Sequence, residues 1–194
     1  LNVPAAFRKL QQFKGCQMLK ISRKIMSLLV FLPAMTAPAV AGEAGPVPAK
    51  PAEARAGQVT CYETSVQENQ AAASATNALR KARGLSSLQP NRDLAVAAAR
   101  HACDMARRGQ MTHRGSATSG PMQRLKKEGY RPRIAAENIA AGPWGQEQVL
   151  AAWSQSPGHL ANILLPQVRH YGIGRAVGPD GKTVYWAAVF SAPR

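Results

Sequence analysis

The sequence predicts an α+β fold in which an antiparallel sheet is packed between helices. Three observations lead there. Helical patterns come first, strand patterns come late, and no β-α-β alternation that would build a parallel sheet lies between them.

The first helix is expected over roughly 63–83, running through Thr76–Arg80 and ended by Arg83-Gly84. Gly84 suits the residue beyond the cap because glycine takes positive φ freely. Leu85 and Leu88 then return over the core. Asn91 begins a second helix as N-cap, with Asp93 in the first turn, where a carboxylate favours the helix dipole. Leu94, Ala97, Ala98, His101 and Met105 recur at spacings of three and four and form one apolar face, and Gly109 ends the helix. A polar loop over 109–120 carries His113. Pro121 opens a short third helix that Gly129 stops. Residues 134–141 read as an extended strand, and Gln146–Gln155 as a helix with Val149, Leu150 and Trp153 on one face. Ser156-Pro157 caps a further helical turn that holds His159. The chain closes with a hairpin, strands over 171–177 and 183–190 around Pro179-Asp180-Gly181.

Ahead of this domain the sequence reads as an export leader. Lys20, Arg23 and Lys24 follow Met18, an apolar stretch runs over 25–35, and Ala39-Val40-Ala41 is an A-x-A cleavage pattern. The expected organisation is therefore 1–17 as upstream or mis-started sequence, 18–41 as signal peptide, 42–60 as a Pro/Ala-rich lead-in, and 61–194 as the folded domain. An uncleaved N-terminal anchor is the alternative; the apolar stretch is short for a bilayer span. The whole chain has 25 basic and 10 acidic residues; removing 1–41 leaves 19 basic and a net charge of +9. With 45% hydrophobic residues the chain is globular rather than disordered. An exported basic domain meets anionic envelope polymer or lipid head groups rather than nucleic acid. The alternative is a solvated basic surface with no specific partner.

Cys61 and Cys103 remain after cleavage, while Cys16 is lost with the upstream segment. An even pair in an oxidising compartment points to a disulfide; two unpaired buried thiols are the other reading. His101, on the apolar helix face, reads as a core histidine and His170 as a surface one. Trp153 and Trp186 read as packing residues, and Trp144, between Pro143 and Gly145, as exposed at a cleft rim.

The markers occur in a telling order: Asn77-Ala-Leu-Arg80 with Gly84-Leu85, Asn91, His101-Ala102, His113-Arg114, Arg124, Gly129-Tyr130, Glu137-Asn138-Ile139-Ala140, Trp153, Ser156-Pro157-Gly158-His159, Asn162-Ile163-Leu164, Gly172-Ile173-Gly174, and Tyr185-Trp186. In that order and spacing the chain resembles the CAP superfamily (cysteine-rich secretory proteins, antigen 5, pathogenesis-related 1; the SCP domain), and within it the short bacterial branch. The match covers about 70–191. The resemblance implies a three-layer α-β-α sandwich with a central antiparallel sheet, and a cleft lined by two histidines and, in many members, two glutamates. At the matching positions these are His113, His159 and Glu137. The second family glutamate follows the helix tryptophan; here Ser154, Gln155 and Ser156 follow Trp153, so that acid is missing.

Two neutral imidazoles and a carboxylate could bind Zn²⁺ or another divalent cation and leave a position open to water. Without metal, Glu137 could act as a base and a histidine as an acid. Alternatively, Glu137 organises the fold by accepting backbone N–H bonds, and His159 bonds its own helical turn. No H-E-x-x-H motif and no nucleophile elbow is present, and Cys103 sits mid-helix in an Ala-rich, structural setting. The leading expectation is an exported domain, periplasmic or extracellular, that binds an apolar or anionic ligand (lipid or wall polymer) in the cleft. The alternatives are a metal-assisted hydrolase using His113, His159 and Glu137, and a structural or stress-related envelope protein with a vestigial cleft.

Overall fold

A computed structural model describes residues 57–194. The expected upstream segment, signal peptide and most of the lead-in lie outside the described residues. Four residues ahead of the domain start expected at residue 61, the Gly57 N–H already donates to the Pro179 carbonyl at 2.8 Å. A two-residue strand, β1 (Thr60–Cys61), then pairs antiparallel with the strand that follows the last helix.

The elements continue as α1 (Val66–Lys81), β2 (Gln89–Pro90), α2 (Arg92–Arg108), α3 (Pro121–Lys127), β3 (Pro132–Gly142), α4 (Gln146–Gln155), α5 (Pro157–Ile163), β4 (His170–Val177) and β5 (Val184–Pro193). Local chemistry explains the boundaries. Ser65 and Glu68 form a reciprocal capping box at the start of α1, three residues inside the expected helix start. Asn91 caps α2 through the Leu94 N–H, and Gly109 ends it at φ 61°.

The sheet order is β1-β4-β5-β3, all antiparallel. One pairing departs from the expected antiparallel sheet: β2 runs parallel to β4, Gln89 opposite His170 and Pro90 opposite Tyr171. The chain leaving α1 must pass alongside β4 before it turns into α2, and that passage makes the short parallel ladder.

Strand β5 shows why the structure has three layers. Tyr185, Ala187 and Val189 pack into one core with Leu94, Ala98, Met105 and Leu125 from α2 and α3. Trp186, Ala188 and Phe190 pack into a second core with Ala72, Val149, Trp153 and Ile163 from α1, α4 and α5. Side chains alternate across a strand, so a continuous apolar run means burial on both faces. Trp153 and Trp186 are buried, whereas Trp144 keeps 36% of its surface exposed. His170 differs from its expected surface place. It is half-buried at the start of β4, with Nδ1 2.8 Å from the Tyr130 hydroxyl.

Cys61 and Cys103 are joined, their Cα atoms 5.2 Å apart, which ties β1 to the outer side of α2. The bridge spans 42 residues of chain, so it removes much unfolded-state freedom. Replacing both cysteines by Ala is expected to lower the unfolding free energy by about 2–4 kcal/mol. Urea denaturation of the double variant beside the oxidised protein checks this; a loss well under 1 kcal/mol would show the bridge to be incidental.

Candidate functional site

Glu137 lies midway along β3, opposite Val189 on β5, and its side chain is 1% exposed. A carboxylate so deep in protein needs partners. It has three. Arg124 of α3, itself 7% exposed, gives Nη2 to Oε2 in a short charged hydrogen bond. The His113 Nδ1 lies 2.9 Å from Oε1, and the His101 Nε2 is 3.7 Å from the same oxygen. Glu137 therefore organises the fold as one reading anticipated, but through a guanidinium and imidazoles rather than through backbone N–H groups.

Arg124 also holds the loop that carries His113. Its Nη1 donates to the His113 carbonyl and to the Thr118 hydroxyl, both at 3.1 Å. The other end of that loop is pinned by Asp104, which accepts from the Ser116 backbone N–H at 3.0 Å and from the Arg108 Nε at 3.1 Å. A loop of polar residues is thus fixed by two buried or half-buried ion pairs. The side chain of His113 remains 57% exposed. With Nδ1 turned to the carboxylate, Nε2 is the ring nitrogen left for a ligand.

His159 reaches the same place from the other side. The Asn138 side chain, next to Glu137, donates to the His159 carbonyl at 3.1 Å. Asn162 in turn donates to the Glu137 carbonyl at 3.1 Å and to Asn138 Oδ1 at 2.9 Å. Two amides thereby lock α5 onto β3. The His159 ring lies 6.4 Å from that of Trp153. Burial holds its pKa below the usual histidine value, and the nearby His113 lowers it further. No hydrogen bond from His159 to its own helical turn is present among the described residues. His113, Glu137 and His159 are thus brought to one region.

The expected three-ligand metal set is different in structure. Among the described residues no three His, Cys, Asp or Glu side chains are arranged to hold a metal ion. The physical reason is that both Glu137 oxygens are already engaged, one by Arg124 and one by His113. Of His113 and His159, the ring nitrogens left without a hydrogen-bond partner among the described residues are those of His159 and Nε2 of His113, with Glu137 behind His113 as an orienting group.

His101 is 1% exposed, in keeping with a core histidine, yet it also closes the site from beneath. Its Nε2 faces the Thr112 carbonyl at 3.0 Å, so the proton sits there and Nδ1 is a buried acceptor with no partner. Burial pushes its pKa down, outweighing the opposite pull of Glu137. A histidine depressed in the folded state takes up protons more readily when unfolded, so stability is full above about pH 6.5 and falls as pH drops below it. Melting temperatures at pH 7 and 5 are expected to fall on acidification, and to fall less in His101→Gln. An equal fall in both would remove His101 as the cause.

Sequence reasoning named three of these groups and missed what supports them. Arg124, Asn138 and Asn162 stood among the ordered markers without a role. Asn138 carried a signal, as a polar residue opening the apolar run of β3, which is tolerated only if a buried partner exists; Arg124, beside Gln123, Lys126 and Lys127 in a polar helix, carried none.

A second concavity lies away from this site. It is a groove of about 1130 Å³ between the chain over 61–66 and the outer side of α2, crossed by the disulfide and bordered by Arg92, Val96, Ala99 and Arg107. None of His101, His113, Glu137 and His159 borders it, so this groove and the histidine cluster are separate features.

The sequence profile of the cysteine-rich secretory protein family (CAP) matches residues 73–190. A protein of Bacillus subtilis (strain 168), the uncharacterized protein YkwD, is 35% identical over 116 residues, which are 60% of this chain and 43% of that protein. This chain therefore spans less than half the length of that relative. Among solved structures, an outer surface protein from Borrelia burgdorferi superposes with a TM-score of 0.60 at 22% identity, covering 69% of this chain and 98% of that one. An extracellular protein containing an SCP domain from Bacillus anthracis str. Ames gives 0.56 at 24% identity, covering 66% and 44%. At those identities the two structures establish the shared α-β-α fold.

Proposed function

Because the chain belongs to the cysteine-rich secretory protein (CAP) family, we propose that it is an exported domain that binds a ligand at the cleft marked by His113 and His159. The ligand class is an apolar or anionic envelope molecule, lipid or wall polymer. One observation carries the preference for binding over turnover: both oxygens of the Glu137 carboxylate are engaged, one by Arg124 and one by His113, so the acid that would move protons is already held in place. A general base must lie within hydrogen-bond reach of the substrate proton, and the Glu137 side chain is only 1% exposed. Export is supported by the leader pattern over 18–41 and by the Cys61–Cys103 bridge.

The test is binding of a monomeric short-chain lipid and of soluble wall fragments by the exported form at 300 mM NaCl, compared with a His113→Ala/His159→Ala variant. Binding weakened at least about tenfold in the variant is the expected result. Equal binding by both proteins, or none by either, would overturn the cleft as the binding site.

The carboxylate behind His113 favours a second reading, a metal-assisted hydrolase. A metal ion held by His113 and His159 would supply a polarised, more acidic bound water. In that reading Glu137 fixes the His113 tautomer and Arg124 fixes Glu137. Zinc added at about a hundredfold over its Kd should then stabilise the protein by about 2.7 kcal/mol, and this gain should vanish in His113→Ala. No stabilisation by zinc in thermal unfolding would remove this reading and leave the first.

A further inference from the structure

We infer that one end of the sandwich is a docking face for an anionic phospholipid surface, separate from the histidine cleft. The observation is a polarised distribution of charge along the strand direction.

Four chain segments bring their basic residues to the same end. Strand β3 begins there after Arg131, with Arg133 at the irregularity in its ladder with β5. Strand β5 finishes there, and the Arg194 N–H donates to the Arg131 carbonyl at 2.9 Å. Strand β4 starts there just after Arg169, whose N–H donates to the Ser191 carbonyl at 2.8 Å. The α1-to-α2 passage runs beside it, since the Gln89 N–H donates to the Arg169 carbonyl and the Asn91 N–H to that of Tyr171, both at 2.8 Å. That passage carries Arg83 and Arg92. All six arginines are exposed, and none is paired with an acid among the described residues.

The acids nearest this end are Asp93, half-buried in the first turn of α2, and Glu128, which is already bonded to Arg100 at 2.6 Å. The opposite end sets Glu68 beside Arg175, Glu147 in the first turn of α4 and Asp180 in the hairpin turn against Arg107 and Arg108 in the last turn of α2 and Lys182. Among the described residues the excess of positive charge therefore lies at the first end, carried by arginine. Guanidinium forks match phosphate oxygens two at a time, better than ammonium groups do.

Shape selects the partner. This end is made of strand ends and helix ends, so it is an outward face rather than a groove that could thread a polymer. Of the six arginines only Arg92 borders the groove under the disulfide. Four strands at about 4.8 Å spacing make the face roughly 15 Å across. The large hydrophobic residues left exposed in the described chain are Val66, Met111 and Trp144, none of them in these segments. A planar layer of phosphate head groups, contacted without insertion, fits such a face, and its hold should be electrostatic and salt-sensitive.

The experiment is co-sedimentation of the exported form with vesicles of phosphatidylcholine alone or with three-tenths phosphatidylglycerol, at 50 and 300 mM NaCl. Binding to the anionic vesicles only, lost at high salt, is expected. Arg131→Ala/Arg194→Ala should weaken it about tenfold or more. Arg107→Ala/Lys182→Ala removes the same charge from the far end of α2 and the hairpin turn, and should change it less than about twofold. Equal losses in the two double variants would reduce the effect to net charge and overturn the assignment. So would failure to bind anionic vesicles, or binding to a soluble polyphosphate chain in their place.

Discussion

Arg124→Ala is expected to destabilise the folded chain by about 3–5 kcal/mol, among the largest effects of any single side-chain truncation here. The substitution leaves the Glu137 carboxylate buried at 1% exposure with its only guanidinium gone. The remaining neighbours, His113 and His101, are imidazoles and do not replace a permanent charge. Arg124 also holds the His113 carbonyl and Thr118, so the loop carrying His113 loses its tether in the same step. Two readouts follow. Urea denaturation should give the loss in unfolding free energy, and ligand or zinc titration should weaken even where the variant is still folded. The double variant Arg124→Met/Glu137→Leu should recover much of the stability, because an apolar pair of similar size leaves no charge stranded. A single-variant loss below about 1 kcal/mol would mean that water reaches the carboxylate and that the pair is not a structural keystone.

Gly174→Ala should be comparably severe for a steric reason. An added Cβ at Gly174 would fall onto the backbone of Ala98 and Ala99 in α2, and one at Gly172 onto the backbone of Leu94 and Ala95. Overpacking against side chains costs about 1–3 kcal/mol, because side chains can rotate away. Here the obstacle is helix backbone, so α2 must lift off the sheet, and a loss of about 3 kcal/mol or more is expected. The same loss should accompany Gly172→Ala. Gly158→Ala is the control: nothing lies within 4 Å of its Cβ position, and alanine suits a helical site, so its effect should be near neutral or slightly stabilising. Thermal melts of the three variants check this. Three similar melts would show that α2 adjusts more freely than its fit to β4 suggests.

These two predictions also mark what could be seen in advance. The run of alanines in α2, behind the apolar face at 94, 97, 98, 101 and 105, announced close packing, but not against what. Gly172 and Gly174 were visible as a pair in a strand pattern. That they face Ala95 and Ala99 across a near-contact of backbones depends on which strand lies under the helix, and no local pattern carries that. The same is true of β2. Gln89 and Pro90 have no strand signal, and their parallel pairing with β4 follows from where the chain must pass between α1 and α2.

Secondary structure was legible wherever a boundary is set by short-range chemistry. Asn91, Pro121, Gly109, Ser156-Pro157 and the Asp180-Gly181 turn act through hydrogen bonds or φ preferences within a few residues, and the elements stop where they say. The ordered markers from Asn77 to Trp186 also sufficed to identify the family. The site divides along the same line. In the sequence, the positions matching the family's markers named His113, Glu137 and His159 as the candidate groups. Tertiary structure alone decided how they relate, by setting Arg124 of α3 against Glu137 of β3 and Asn162 of α5 against Asn138. A buried charge takes its role from the partner that reaches it through space. Thirteen residues of sequence separate Arg124 from Glu137, and the sandwich closes that distance to a hydrogen bond.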